Sequence, residues 1–215
     1  MVYNKVDFKK HIESIQIDGF KLKSAVQAYL FTRKLDDRIE TITISYRSYA
    51  PHSFYIDGVS ADIFYPKLDA ILEEHSLGEE YKTTIGKSFQ DLNEVNYEKL
   101  STEIKSDESF NIVKKVVEEI IEKGVFSFLN KFSTLEKIAN FLSNMNPVEI
   151  VPYIQGSILY PKTVLIMKMA NHPTFQRRLF EFKNVLQENI DANKRYPILL
   201  EKFEKLFASD LEVSL

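Results

Sequence analysis

The hydrophobic period of this chain changes once, near residue 105, and that change limits the folds open to it. Ile42, Ile44 and Tyr46 alternate with Thr41, Thr43, Ser45 and Arg47, the pattern of a strand with one buried face. Phe110, Val113, Val117, Ile120 and Ile121 instead fall on one stripe of a helix. Alternating strands first and amphipathic helices afterwards predict an α+β fold. We read residues 1–105 as an N-terminal antiparallel sheet of four to five strands with two helices. Residues 106–215 read as a helical region packed on that sheet.

Local signals place the elements. Asn4 caps a first helix over 5–16, whose apolar face is Phe8, His11, Ile12 and Ile15, and Asp18-Gly19 closes it. A strand starts at Phe20. A second runs from Val26 to Arg33, with Val26, Ala28 and Leu30 on one face and Tyr29 and Phe31 on the other. Lys34–Asp37 is a polar turn, and Pro51 and His52 separate the Ile42 strand from Ser53. Asp57-Gly58 fits either a two-residue hairpin turn or a bulge in one long strand reaching Phe64. The short segment before it favours the bulge. Pro66 opens a helix bearing Leu68, Ile71, Leu72 and His75, and Tyr81 to Phe89 reads as the last strand. In the second half the Phe110 stripe is predicted to stop at Gly124. Ser133-x-x-Glu136 has the capping-box pattern, Pro161 and Pro197 suit helix starts, and Phe175, Leu179, Phe182, Leu186 and Ile190 form a seam. Linkers are expected at Asp91–Glu94 and Lys105–Glu108.

Chemistry is bounded by what the sequence does not contain. It has no Cys, 4 His that stand far apart, and 6 Gly that are never adjacent. Thiolate catalysis and disulfides are excluded, and a reducing compartment, the cytoplasm, is expected. No two His stand at ligand spacing and no glycine-rich loop is present, so neither a metal nor a cofactor is expected. Apolar runs reach only four residues, as at Val164 to Met167, and the N-terminus has no apolar core of a signal peptide, so neither a membrane span nor secretion is expected. Residues 1–105 hold 14 basic and 17 acidic side chains, residues 106–215 hold 14 of each, and a general nucleic-acid binder needs a basic excess. Arg177, Arg178, Lys183, Lys194 and Arg195 are the late residues from which a local basic face could be built.

Two constellations remain. Asp57 and Asp62 lie in an aromatic strand where a carboxylate could be desolvated, and His52 stands nearby as a general base. If the three converge, they form a hydrolase-like site in a cleft between sheet and helices. The second is the aromatic surplus of the strands, where Tyr29, Phe31 and Tyr55 could form an exposed binding face. Helices covering that face are the alternative.

The opening helix, Asp18-Gly19-Phe20, the strand ending Thr43-Ile44-Ser45-Tyr46 and the block from Ser53 to Val59 resemble small uncharacterised bacterial α+β proteins, some of them immunity-like. The resemblance covers about the first 90 residues, is one of layout, and carries over no catalytic residue. It implies a non-enzymatic module that binds another protein, which the missing catalytic toolkit also favours. The carboxylate–His enzyme and a weak nucleic-acid binder are the alternative readings.

Overall fold

A computed structural model of the chain describes residues 3–50, 52–78, 82–89, 97–154, 156, 158–192 and 195–212. Pro51, Tyr81, the linker Asp91–Glu94 and Lys194 fall outside these residues. The layout is α+β, with a five-stranded antiparallel sheet in the order β1-β2-β3-β4-β5. The chain divides into two compact units, each assembled from two stretches. Unit 1 is Met1–Ile63 with Lys87–Asn130, and unit 2 is Phe64–Gly86 with Lys131–Leu215. The division is therefore not the expected one between 1–105 and 106–215. Helices from the second half join the sheet in unit 1, and the Pro66 helix joins the later helices in unit 2.

Unit 1 begins with α1 (Lys5–Glu13), capped as the sequence predicts. Asn4 Oδ1 accepts from the amides of Val6 (2.7 Å) and Asp7 (3.4 Å), and Asp7 accepts from the Asn4 amide (3.0 Å). The helix stops before residue 16, where the Ser14 hydroxyl and amide both turn back to the His11 carbonyl. Strands β1 (Lys21–Ala25) and β2 (Ala28–Lys34) then form a tight hairpin, with Ala25 opposite Ala28. Val26 is thus an exposed turn residue and not the start of a strand, and Gln27 beside it takes a φ of +52°. A period-two pattern cannot show where a hairpin folds back, and Val26 fitted the alternation on either side.

Strand β3 (Ile39–Ala50) pairs with β2 so that Phe31 faces Ile42 and Tyr29 faces Ile44. Strand β4 (Ser53–Phe64) is one strand with no hairpin at Asp57-Gly58. Its buried residues are Phe54, Ile56 and Gly58, then Val59, Ala61 and Ile63. The alternation slips by one position at Gly58-Val59, the mark of a bulge. Ile104 extends the start of β4 by a reciprocal pair of backbone hydrogen bonds with Phe54 (2.8 and 3.2 Å).

Phe8 fixes α1 on this sheet. Its ring stacks on Phe54 at 4.5 Å and 5°, and meets Tyr46 at 5.0 Å and Tyr29 at 6.2 Å. Tyr29 and Phe31 are therefore buried, and they do not form an exposed binding face. Beside them, Glu40 is almost wholly buried and accepts from Arg33 Nε (2.9 Å) and Nη2 (2.6 Å) and from Arg38 Nε (3.0 Å). Both its oxygens are occupied, which is what a carboxylate withdrawn from water requires.

Strand β5 (Ile85–Ser88), α3 (Tyr97–Leu100) and α4 (Asp107–Ile120) follow. The stripe does not stop at Gly124. It runs through a π-helical turn (Ile121–Val125) into α5 (Phe126–Lys131). Gly124 is buried, and glycine terminates a helix only where the chain needs a left-handed residue.

Unit 2 takes α2 (Pro66–Glu74), α6 (Leu135–Leu142), α7 (Pro147–Ile150), α8 (Leu159–Met169), α9 (Phe175–Glu188), α10 (Tyr196–Leu206) and α11 (Ala208–Glu212). Its centre is α8, where Leu159 and every residue from Pro161 to Met167 are buried. Helices α2, α6, α7 and α9 pack against it. A helix buried on all sides has little amphipathic signal. The cap of α6 is Thr134, whose hydroxyl accepts from the Lys137 amide (3.2 Å), so the helix starts one residue later than Ser133-x-x-Glu136 suggests.

Two buried cations hold unit 2 from inside. Lys162 Nζ donates to the Thr83 carbonyl (2.8 Å). Arg178 donates through Nη2 to the carbonyls of Leu142 (2.9 Å) and Met145, and through Nη1 to Glu181 (3.0 Å). Those carbonyls lie at and just past the end of α6, where helical partners run out.

Candidate functional site

The three candidate catalytic residues do not meet. His52 Nδ1 donates to the Tyr3 carbonyl (2.8 Å) and borders a cavity of about 440 Å3 with Asn4, Gln27, Tyr46 and Phe54, on the side where α1 packs. Neither Asp57 nor Asp62 lines it. Asp57 is half-buried on the opposite face of β4 and pairs with Arg47 from β3. Asp62 is half-buried too, and the slip at Gly58-Val59 puts it on the same face as Asp57. The expected hydrolase-like pairing of carboxylate and imidazole is therefore not formed.

The remaining histidines have structural partners. His11 takes the Tyr3 hydroxyl at Nδ1 (2.8 Å), stacks on Phe110 at 4.5 Å and approaches Asp107 through Nε2 (3.5 Å). Burial raises the Tyr3 phenol well above its ordinary value, with the nearby carboxylates of Asp107 and Asp7 adding to the shift. His75 Nδ1 donates to the Ile71 carbonyl (3.0 Å). His172 is held between Thr174 Oγ1 (2.8 Å) and Asn140 Oδ1 (3.0 Å). Among the described residues, no group of three or more His, Asp or Glu is placed to hold a metal ion.

Of the late basic residues, Arg177, Arg178 and Lys183 are engaged with acids of α9 and α10. Arg178 is buried, Arg177 and Arg178 share Glu181, and Lys183 pairs with Glu204 at 2.9 Å.

The sheet exposes β1 and part of the outer face of the β3–β4 pair, and the aromatic side chains are on the latter. Tyr49 is 69% exposed, and its ring meets Tyr55 edge-on at 5.6 Å and 76°. Arg47 Nη1 donates to the Tyr49 hydroxyl (2.8 Å), while the guanidinium carbon lies 5.6 Å from the Tyr49 ring centre. The hydrogen bond to Asp57, followed by that residue's charge, raises the Arg47 pKa above its ordinary value. At the margin Glu103 accepts from Ser53 (2.8 Å) and Lys105 (3.0 Å). The Lys105 bond, ahead of the Ser53 bond, holds the Glu103 carboxyl below its ordinary range.

This arrangement contains one of the three aromatics singled out from the sequence, Tyr55. It replaces Tyr29 and Phe31 with Tyr49 and Arg47. The sequence signal for Tyr49 was its odd-numbered place in β3, out of phase with buried Ile42, Ile44 and Tyr46. Its pairing with Tyr55 is set by the β3–β4 turn, on the turn side of the bulge. Chemically the cluster offers two phenol rings, a guanidinium and a carboxylate on one face of the β3–β4 pair. No family model, curated protein or solved structure matches the chain. The functional reading therefore rests on surface chemistry.

Proposed function

We propose that this chain is a non-enzymatic module that binds another protein through the Arg47, Tyr49, Tyr55 and Asp57 cluster. The observation that carries this reading is the exposure of Tyr49, held in place by Tyr55 and Arg47. Tyrosine and arginine are enriched at the energetic centres of protein interfaces, tyrosine for large contact area with little side-chain freedom to lose, arginine for its planar fork of donors. An array ordered before binding loses less entropy when a partner arrives. The acidic balance of residues 1–105 suits a partner with a basic surface, and the layout suits masking of that partner in the immunity manner, in the cytoplasm. No helix of the described residues is long and apolar enough to cross a membrane.

The test is affinity capture from the source cells with wild-type and Tyr49→Ser baits, both shown to melt alike. A specific partner held by the wild type and weakened at least about tenfold by Tyr49→Ser is expected, the size of a hot-spot loss. Recovery of the chain alone, or of the same partner equally on both baits, overturns the reading.

A further inference from the structure

A different surface, wholly within unit 2, has the form of a ligand site. A groove of about 700 Å3 runs between the end of α2, α7, the start of α8 and the first turns of α10. Val148 and Val151 from the α7 region and Ile198 from α10 line it and are exposed, Val148 by 80%. Aliphatic side chains gathered around one concavity and left in water mark a binding surface more often than scattered ones do. The volume lies within the range of small-molecule sites, about 300–1,000 Å3.

The polar lining has one sign. Lys202 and Arg195 border the groove, and no Asp or Glu is among its described lining residues. In a chain where acids outnumber bases by 31 to 28, two cations and no carboxylate among the described lining residues favour an anion. Lys202 is anchored: its Nζ donates to the Ser76 carbonyl (2.6 Å), where Ser76 holds a left-handed φ of +57° past the end of α2. An ammonium has three donors, so this bond fixes the charge at the wall without exhausting it. Tyr160, also in the lining, adds no negative charge. Burial, then the neighbouring Tyr196, keeps its phenol above the ordinary pKa.

We propose that this groove binds a small amphiphilic acid, its apolar body against Val148, Val151 and Ile198 and its carboxylate against Lys202 and Arg195. The assignment is independent of the protein-binding cluster on unit 1.

Dodecanoate, titrated below its micelle concentration into the full chain by calorimetry, is the probe. The expected result is saturable one-to-one binding, weakened at least about tenfold by Lys202→Gln, as the loss of a charge-assisted contact predicts. Val148→Glu places an acid in the groove at an exposed position that the fold does not use, and is expected to abolish binding. Dodecyltrimethylammonium, with the same tail and the opposite charge, is expected not to bind. Three results overturn the proposal: no saturation with dodecanoate, equal binding of the cationic amphiphile, or wild-type affinity in Val148→Glu. Sedimentation of the same samples reads the remaining occupant. A wild-type dimer that Val148→Glu dissociates would assign the groove to a second copy and overturn the proposal as well.

Discussion

Unit 1 and unit 2 both bury aromatic rings but set them on different materials, paired strands in one and a central helix in the other. Unit 1 fills its interior with rings whose places are set by strand register: Phe8 lies on Phe54 and Tyr46, and Tyr29 beside them is opposite Ile44. Its buried charge, Glu40, is matched by arginines of the sheet itself. Unit 2 surrounds one largely buried helix and leaves carbonyls stranded at and past the end of α6. It answers those with Arg178, while Lys162 holds the Thr83 carbonyl just ahead of β5. A sheet satisfies its backbone by pairing, so its side chains are free to pack. A set of short helices leaves ends that side chains must close.

The strongest way to break this contrast is at Phe8. Phe8→Ala is expected to cost about 3–5 kcal/mol, because the cavity would lie between three aromatic rings that cannot collapse into it. Native-state hydrogen exchange should show the loss in amides of 1–63 and 87–130. Equal loss throughout 131–215 would mean that the two regions unfold as one, and the contrast would hold for materials only.

Arg178→Met is the corresponding test in unit 2. It keeps the apolar stem and removes the donors to Leu142 and Met145. The expected cost is about 2–3 kcal/mol in denaturant melts, because charged hydrogen bonds are lost and carbonyls are left unpaired. A neutral result would show that water closes the end of α6 as well as the guanidinium does.

The last test is by pH, to which both units respond, because burial raises the Tyr160 phenol of unit 2 as well. Burial raises the Tyr29 phenol to about 12, with the neighbouring Tyr46 as the second cause, and raises Tyr3 further still. The folded state thus holds these protons more tightly than the unfolded chain does. The stabilisation is complete below pH 10 and is lost as pH rises through 12. Melts between pH 9 and 12 should therefore show an alkaline decline in unit 1, and Tyr29→Phe should flatten it. An unchanged slope in Tyr29→Phe would remove Tyr29 from the account.

Wherever one local rule governed, the sequence could be read. Asn4 before an amphipathic run, Pro66 at a helix start and the alternation of Ile42, Ile44 and Tyr46 each led to the observed element. The failures arose where two rules fit the same residues. Val26 satisfied strand alternation and also a turn, and only the pairing of Ala25 with Ala28 separates them. Gly124 could end a helix or sit within one, and its π turn is set by how the surrounding helix is packed. Tyr29 and Phe31 versus Tyr49 and Tyr55 was a question of which face α1 would cover, and Phe8 carries no mark of that choice. The groove was less legible still, because Val148, Ile198 and Lys202 meet only through tertiary folding.

Neither unit is a contiguous piece of chain, and this governs how the protein can be made. When residue 63 leaves the ribosome, unit 1 still lacks 87–130, and unit 2 lacks its larger part until the last helices emerge. A cut at the change of hydrophobic period would divide unit 1 between two fragments and leave α2 parted from α8. Vectorial synthesis thus leaves the early strands waiting for late partners, and a nascent chain stalled midway presents unfinished edges to chaperones.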